Sequence, residues 1–226
     1  MSLKDAFDRL LDRDHPLDGI DDLVWEHLTA AGESSKHVWR TGGLVTTQPT
    51  GSASAVSDDA ADSLSTSGAA PSARTVIVRR ADASSRTIDC HTDLRSGKID
   101  DLDASNLVAW LFYDHDSKIQ LRLGGTAAHF HQGDEVDRAW QATPLASRSA
   151  YVTLRRPGVA IPGDRPPDGS DRRVDQETSE RGRENFTILR TSVTWADWLY
   201  LRSGGHVRAR VDYGVSGAAN WVWLNP

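Results

Sequence analysis

The chain has 226 residues, 26 of them basic and 32 acidic, for a formal net charge of −6. An acidic balance argues against a nucleic-acid surface, so local clusters of cations read as sites for small anions. The single cysteine, Cys90, excludes an internal disulfide framework and suits a reducing compartment, and no stretch approaches the roughly 18 apolar residues of a membrane span.

Residues 1–14 are charged throughout, unlike a signal peptide, so the expectation is a cytoplasmic protein with no membrane or nucleic-acid partner. Leu3, Phe7, Leu10 and Leu11, then Ile20, Leu23, Val24 and Leu28, fall at helical spacing on either side of His15-Pro16. They predict two amphipathic helices in an N-terminal segment over 1–33, ahead of a domain over 34–226. Residues 34–49 turn extended and β-branched. The Ser/Ala/Gly/Asp-rich tract at 51–72 has almost nothing to bury and reads as a flexible insertion between two strands.

Residues 74–81 and 87–91 predict a strand pair, and 96–102 a short helix. Residues 107–113 form a nearly continuous apolar strand, which predicts that both its faces are covered. Residues 118–131 form a long strand with a bulge at Gly124-Gly125. Residues 134–142 are helical, and Pro144 opens a second short helix reaching 151. The stretch 155–184 is rich in Pro, Gly, Asp and Arg and reads as an irregular loop. Strands follow at 185–190, 195–201, 207–213 and 220–224, with Ser203-Gly204-Gly205 turning a hairpin. Many short strands with few helices predict a mainly β fold, an antiparallel β-barrel with peripheral helices.

Chemistry concentrates at 74–98, R-T-V-I-V-R-R-A-D-A-S-S-R-T-I-D-C-H-T-D-L-R-S-G-K. Arg74 and Arg79 bracket a strand, and Thr92, Arg95, Ser96 and Lys98 surround the start of a helix. Guanidinium forks and helix N-termini both suit phosphate oxygens, whereas a strand with solvated cationic ends is the plain alternative. Gln120 and Arg122 share one face of the long strand, where Gln120 either meets a heterocyclic ring edge or simply faces solvent. The C-terminal W-A-D-W-L-Y-L-R-S-G-G-H-V-R-A-R sets aromatics beside His206, Arg208 and Arg210, as a ligand rim or as packed core. His129 and His131 share a strand face, but no third metal ligand has recognisable spacing.

In this order, R-T-V-I-V-R, H-T-D-L-R-S-G-K, Q-L-R-L-G-G, W-Q-A-T-P-L-A-S-R-S-A-Y and Y-L-R-S-G-G-H-V-R-A-R resemble the pyridoxamine 5'-phosphate oxidase-related family of FMN-binding split barrels. The general flavin-binding subgroup is a better match than the vitamin B6 enzyme itself. The resemblance implies an FMN-dependent oxidoreductase that works as a homodimer with cofactor sites at its interface, acting on a small-molecule substrate. The alternative is a non-catalytic split barrel that carries flavin, deazaflavin or haem. By resemblance the FMN residues are Arg74, Arg79, His91, Thr92, Arg95, Ser96, Lys98, Gln120, Tyr200 and Arg210, and the substrate residues are Ser147, His206 and Arg208. The catalytic residue is unassigned. Gly97 stands where the family carries a phosphate cation, with Arg95 as its expected substitute. Ala139 and Thr143 stand where the vitamin B6 enzyme holds its substrate phosphate, which implies a different substrate.

Overall fold

The computed structural model describes residues 2–49, 69–160, 174–214 and 219–226 and is built on one antiparallel sheet that closes on itself. Its strands are β1 (Thr41–Gln48), β2 (Ala70–Asp82), β3 (Thr87–Asp93), β4 (Leu107–Asp114), β5 (Ile119–Phe130), β6 (Phe186–Tyr200), β7 (Val207–Asp212) and β8 (Val222–Leu224). The hydrogen-bonded order runs β3-β2-β1-β4-β5-β6, and β3 pairs back onto β6 to close a six-stranded barrel. This is the mainly β barrel that the strand spacing predicts.

The strands predicted at 185–190 and 195–201 are a single one. Residues 186–192 of β6 pair with β3, residues 195–200 pair with β7, and β5 runs along both halves. The polar interruption at Ser192-Val193-Thr194 is absorbed by a register shift opposite Gly124 and Gly125. At Gly125 a Cβ would lie 1.9 Å from the Ser192 carbonyl oxygen, so only glycine admits this approach.

Alternation along the strands fills the barrel with Leu44, Val78, Ile88, Trp110, Leu121 and Trp198. The helices α1 (Leu3–Leu11) and α2 (Ile20–Glu33) contribute to the same core, with Phe7 stacked 4.9 Å from the Trp198 ring. The segment 1–33 is therefore packed against the barrel. The helix α2 lies so close on β2 that a Cβ at Gly32 would be 3.0 Å from the Arg80 Cα. The helix α3 (Gly97–Ala104) packs on β1. A second cluster, Val136, Trp140, Phe186 and Ile188, seats α4 (Asp134–Ala142) and α5 (Leu145–Val152) on the β6 side.

Two expectations need correction. The stretch 155–184 is not wholly irregular: α6 (Gln176–Glu180) and a 3-10 turn at Arg181–Asn185 occupy its end, capped where Asp175 accepts from the Thr178 N–H. Residues 161–173, and 51–68 of the predicted insertion, lie outside the described residues. Nor does the chain cover both faces of β4. Val108, Trp110 and Phe112 face the core, but Leu107, Leu111 and Tyr113 are exposed. Its run of apolar residues serves two faces, of which the described residues bury one.

Candidate functional site

Side chains on a strand alternate between faces, so Arg74 and Arg79, five residues apart on β2, cannot share one. The same holds for His91 and Thr92. The structure thus divides the predicted cluster into an inner group at the β3–α3 junction and an outer group on the other side of the sheet.

Arg74 pairs across the sheet with buried Leu44 and shares its inward face. Its guanidinium donates to Thr46 Oγ1 at 2.6 Å, Ser72 Oγ at 2.7 Å and Asp101 Oδ2 at 3.2 Å. Lys98, in the first turn of α3, donates to Thr92 Oγ1 at 2.6 Å and Ser96 Oγ at 2.9 Å. Lys98 and Asp101 ride on one helix, which ties the two hydrogen-bonded sets together. Burial lowers the Lys98 pKa, and the nearby Arg74 charge lowers it further. Two cations therefore sit together with one carboxylate.

This group fits a flavin phosphate. Ser96 is the N-cap of α3, yet its hydroxyl makes no capping bond, so no side-chain oxygen takes the first backbone N–H groups of the helix. Next to it, a Cβ on Gly97 would meet no atom within 4 Å, so the approach is open. Arg95 does not stand in for the missing cation. Its guanidinium clamps Asp93 at 3.0 and 2.7 Å and donates to the Thr153 carbonyl at 2.8 Å. This pair raises the Arg95 pKa and holds the side chain toward α5.

In the outer group, the register of β2 against β3 shifts between Val78 and Arg80, which places Arg79 at a bulge. Arg79 and His91 then line a cavity of about 490 Å³ that reaches under α4. The His91 ring packs edge-on to Phe186 at 4.7 Å. Burial, helped by the charges of Arg79 and Arg40, pushes its pKa down to about 4, so the imidazole is neutral at neutral pH.

The remaining predicted residues lie elsewhere. Gln120 and Arg208 stand opposite Leu199 on its two sides, and Arg210 pairs one row away with Asp197. All three share the outward face that carries Leu111 and Tyr113. Arg208 forks onto Asp197 at 3.1 and 2.8 Å, while Arg210 lies 4.8 Å over the Trp195 ring and pairs with Asp212. Tyr200 points inward, is buried, and donates to Asp8 of α1 at 2.9 Å. Ser147 is on α5, and His206 is exposed in the turn before β7. One chain does not bring these residues to the Arg74–Lys98 group.

Sequence reasoning missed Arg40. It lies in the 3-10 turn Val38–Arg40 and donates to the Ala31 and Gly32 carbonyls that end α2. That bond carries the guanidinium into the Arg79 cavity. No local motif marks it.

This closed barrel, with one long strand shared by two flanking partners, has the architecture of a split barrel. The family model for the pyridoxamine 5'-phosphate oxidase FMN-binding domain matches residues 51–131. The fold is similar to a pyridoxamine 5'-phosphate oxidase-related, FMN-binding protein from Nostoc punctiforme, with TM-score 0.66 and 20% identity over 89% of this chain and 95% of that one. It is also similar to PhzG from Burkholderia lata, solved with tetrahydrophenazine-1-carboxylic acid, with TM-score 0.61 and 15% identity over 91% of each chain. No curated protein gives a significant sequence match. The chain resembles the pyridoxamine 5'-phosphate oxidase-related split barrels in sequence over the matched stretch and in fold over most of its length.

Proposed function

We propose that this protein is an FMN-dependent oxidoreductase of a small-molecule substrate, and that it works as a homodimer. The observation that carries the reading is that Thr92, Ser96 and Lys98 meet at the start of α3 while Arg74 reaches the same helix at Asp101, within a stretch that matches an FMN-binding domain. When bound, FMN supplies hydride chemistry at its ring, so the protein's task is to bind and orient. Arg74 and Lys98 meet the phosphate charge, and the Thr92 and Ser96 hydroxyls fix the Lys98 ammonium. Gln120 and Arg210 sit on the opposite face, next to the bare side chains of Leu111 and Tyr113. A second copy seated there would cover this patch and let one subunit complete the site of the other.

The test is the visible spectrum of the purified protein before and after NAD(P)H. Flavin that bleaches and recovers in air supports the reading, and flavin that binds but resists reduction favours a non-catalytic carrier. Protein that takes up no FMN sinks both. Light scattering tests the dimer: Leu111→Asp should shift the mass from two chains to one, and a monomeric parent would dispose of the shared site.

A further inference from the structure

His27, on α2, and His37, in the loop that leads to β1, face each other through ring nitrogens, with 3.2 Å between His27 Nδ1 and His37 Nε2. On its other side, His37 Nδ1 accepts from the Trp39 backbone N–H at 3.1 Å and so caps the 3-10 turn Val38–Arg40. Only one distribution of protons keeps both bonds while the rings are neutral. His37 Nδ1 must be bare to accept, so its proton is on Nε2 and is donated to His27 Nδ1. The His27 proton then lies on Nε2, a buried nitrogen with no hydrogen-bond partner among the described residues. The closed pair therefore leaves one buried donor unmatched, which opposes it.

The surroundings are aromatic. Phe7 of α1 stacks on His27 at 6.2 Å, and Trp39 meets the His27 ring at 5.9 Å and the His37 ring at 6.2 Å. Trp39 is fully buried and lies 6.1 Å from Phe112 of β4, so the pair sits where the N-terminal helices meet the barrel. The charged groups that act on it are Glu26 of α2 and Asp114 at the end of β4, which favour protonation, and the chain's amino terminus, which opposes it. Asp114 is already engaged by the N–H groups of Asp116 and Ser117. Arg40, on the turn, is directed at the Ala31 and Gly32 carbonyls that end α2. Burial outweighs the two acids and lowers both imidazole pKa values below the ordinary 6.5.

An added proton cannot enter without loss, because only one of the four ring nitrogens then stays bare. If that is His37 Nδ1, the cap survives and two N–H groups confront each other between the rings. If it is either of the two facing nitrogens, the bond between the rings survives and His37 Nδ1–H is turned against the Trp39 N–H. If it is His27 Nε2, both bonds are lost. We propose that His27 and His37 form a proton-operated latch, in which one added proton breaks at least one of the two hydrogen bonds and loosens the joint between α2 and β1. The turn carries Arg40, whose bonds tie the end of α2 to the start of β1, so the joint loosens with the cap. Arg40 also lines the cavity under α4, and the pair thereby sets where that guanidinium stands. The latch is closed at neutral pH and opens as the pH falls below 6.5, because released imidazoles take up protons that the closed pair refuses. It stands apart from the flavin reading and needs no ligand.

The experiment is NMR on the full chain labelled with nitrogen-15 at histidine and tryptophan. At pH 7.5 the imidazole shifts should show Nε2–H on both His27 and His37, with both Nδ1 atoms bare. Hydrogen exchange of the Trp39 amide then follows the joint. Its protection factor should fall by about tenfold for each histidine released when the pH is lowered from 7.5 to 5.5. The Trp198 amide, in β6, should stay better protected than Trp39 throughout, which marks the opening as local. His37→Asn keeps an oxygen acceptor for the Trp39 N–H and takes up no proton, so most of the fall should disappear. A proton on His37 Nδ1 at pH 7.5, a Trp39 protection factor that ignores pH, or a fall that persists in full in His37→Asn would overturn the latch. Equal protection of Trp39 and Trp198 at pH 5.5 would do the same, since the opening would then be global. The tautomer measurement is made on the parent chain, so it decides even where His37→Asn folds poorly.

Discussion

The two cationic groups differ in how their charge is held. In the inner group both cations meet partners: Arg74 has Thr46, Ser72 and Asp101, and Lys98 has two hydroxyls. In the outer group Arg40, Arg79 and Arg138 face a cavity without a carboxylate of their own, and Arg79 buries an unmatched N–H. The first arrangement is pre-organised and part of the fold. The second stores unsatisfied charge, which only a ligand or water relieves. Removing a cation should therefore cost more stability in the inner group than in the outer one.

The largest effect is expected at Arg74. The side chain of its partner Asp101 is only 4% exposed, so Arg74→Ala leaves a buried carboxylate with the Thr46 hydroxyl but no ion pair. That should cost about 3 kcal/mol in urea unfolding, and FMN retention should fall with it. The matched change, Arg79→Ala, removes no ion pair and relieves mutual repulsion with Arg40, so its unfolding free energy should change by less than about 1 kcal/mol. Equal losses at the two positions would erase the distinction between the groups. Lys98→Met separates binding from folding on the inner side. It should reduce FMN affinity by about tenfold or more through one lost charged contact.

The outer group should also be acid-sensitive. His91 has its pKa pushed down to about 4 in the folded chain, against an ordinary value of 6.5. Between those values the unfolded chain takes up the proton and the folded chain refuses it, so stability falls as the pH drops through that window. Complete expression of the shift would remove about 3 kcal/mol between pH 6.5 and 4. His91→Gln should flatten that part of the profile, measured as the difference between urea midpoints at pH 7.5 and 4.5. His27 and His37 remain in the variant, and burial lowers their pKa values in the same sense, so some acid dependence persists. An unchanged profile would remove His91 from the account.

Much of the inner group was legible because it is local. Thr92, Ser96 and Lys98 fall within seven residues, and the strand–helix junction that joins them follows from their order. The bulge at Gly124-Gly125 was likewise written in a glycine pair. What escaped depends on distant partners. Tyr200 is claimed by Asp8, 192 residues away, through a helix that covers the barrel end. Arg40 is aimed by two carbonyls at the end of α2, and carbonyls carry no sequence signature. The continuous apolar run of β4 correctly predicted a strand but not that its outer face is bare within one chain. Arg95 shows a local failure. An acid two residues earlier on the same segment was enough to claim its guanidinium.

The smallest effect should come from restoring a cation at the inner group. Gly97 occupies the first turn of α3, at a backbone angle open to any residue, with nothing near the place of its Cβ. Gly97→Arg should therefore fold at least as well as the parent, since glycine in a helix costs up to about 1 kcal/mol relative to a good helix former. The added guanidinium would stand at the helix N-terminus, where the helix dipole opposes a cation by a few tenths of a kcal/mol, about 0.3–1. A bound phosphate dianion outweighs that penalty, whereas an empty site does not. The variant should thus melt close to the parent without FMN and above it with FMN, by a few degrees. Equal melting temperatures in saturating FMN would mean that the phosphate does not lie at this helix start.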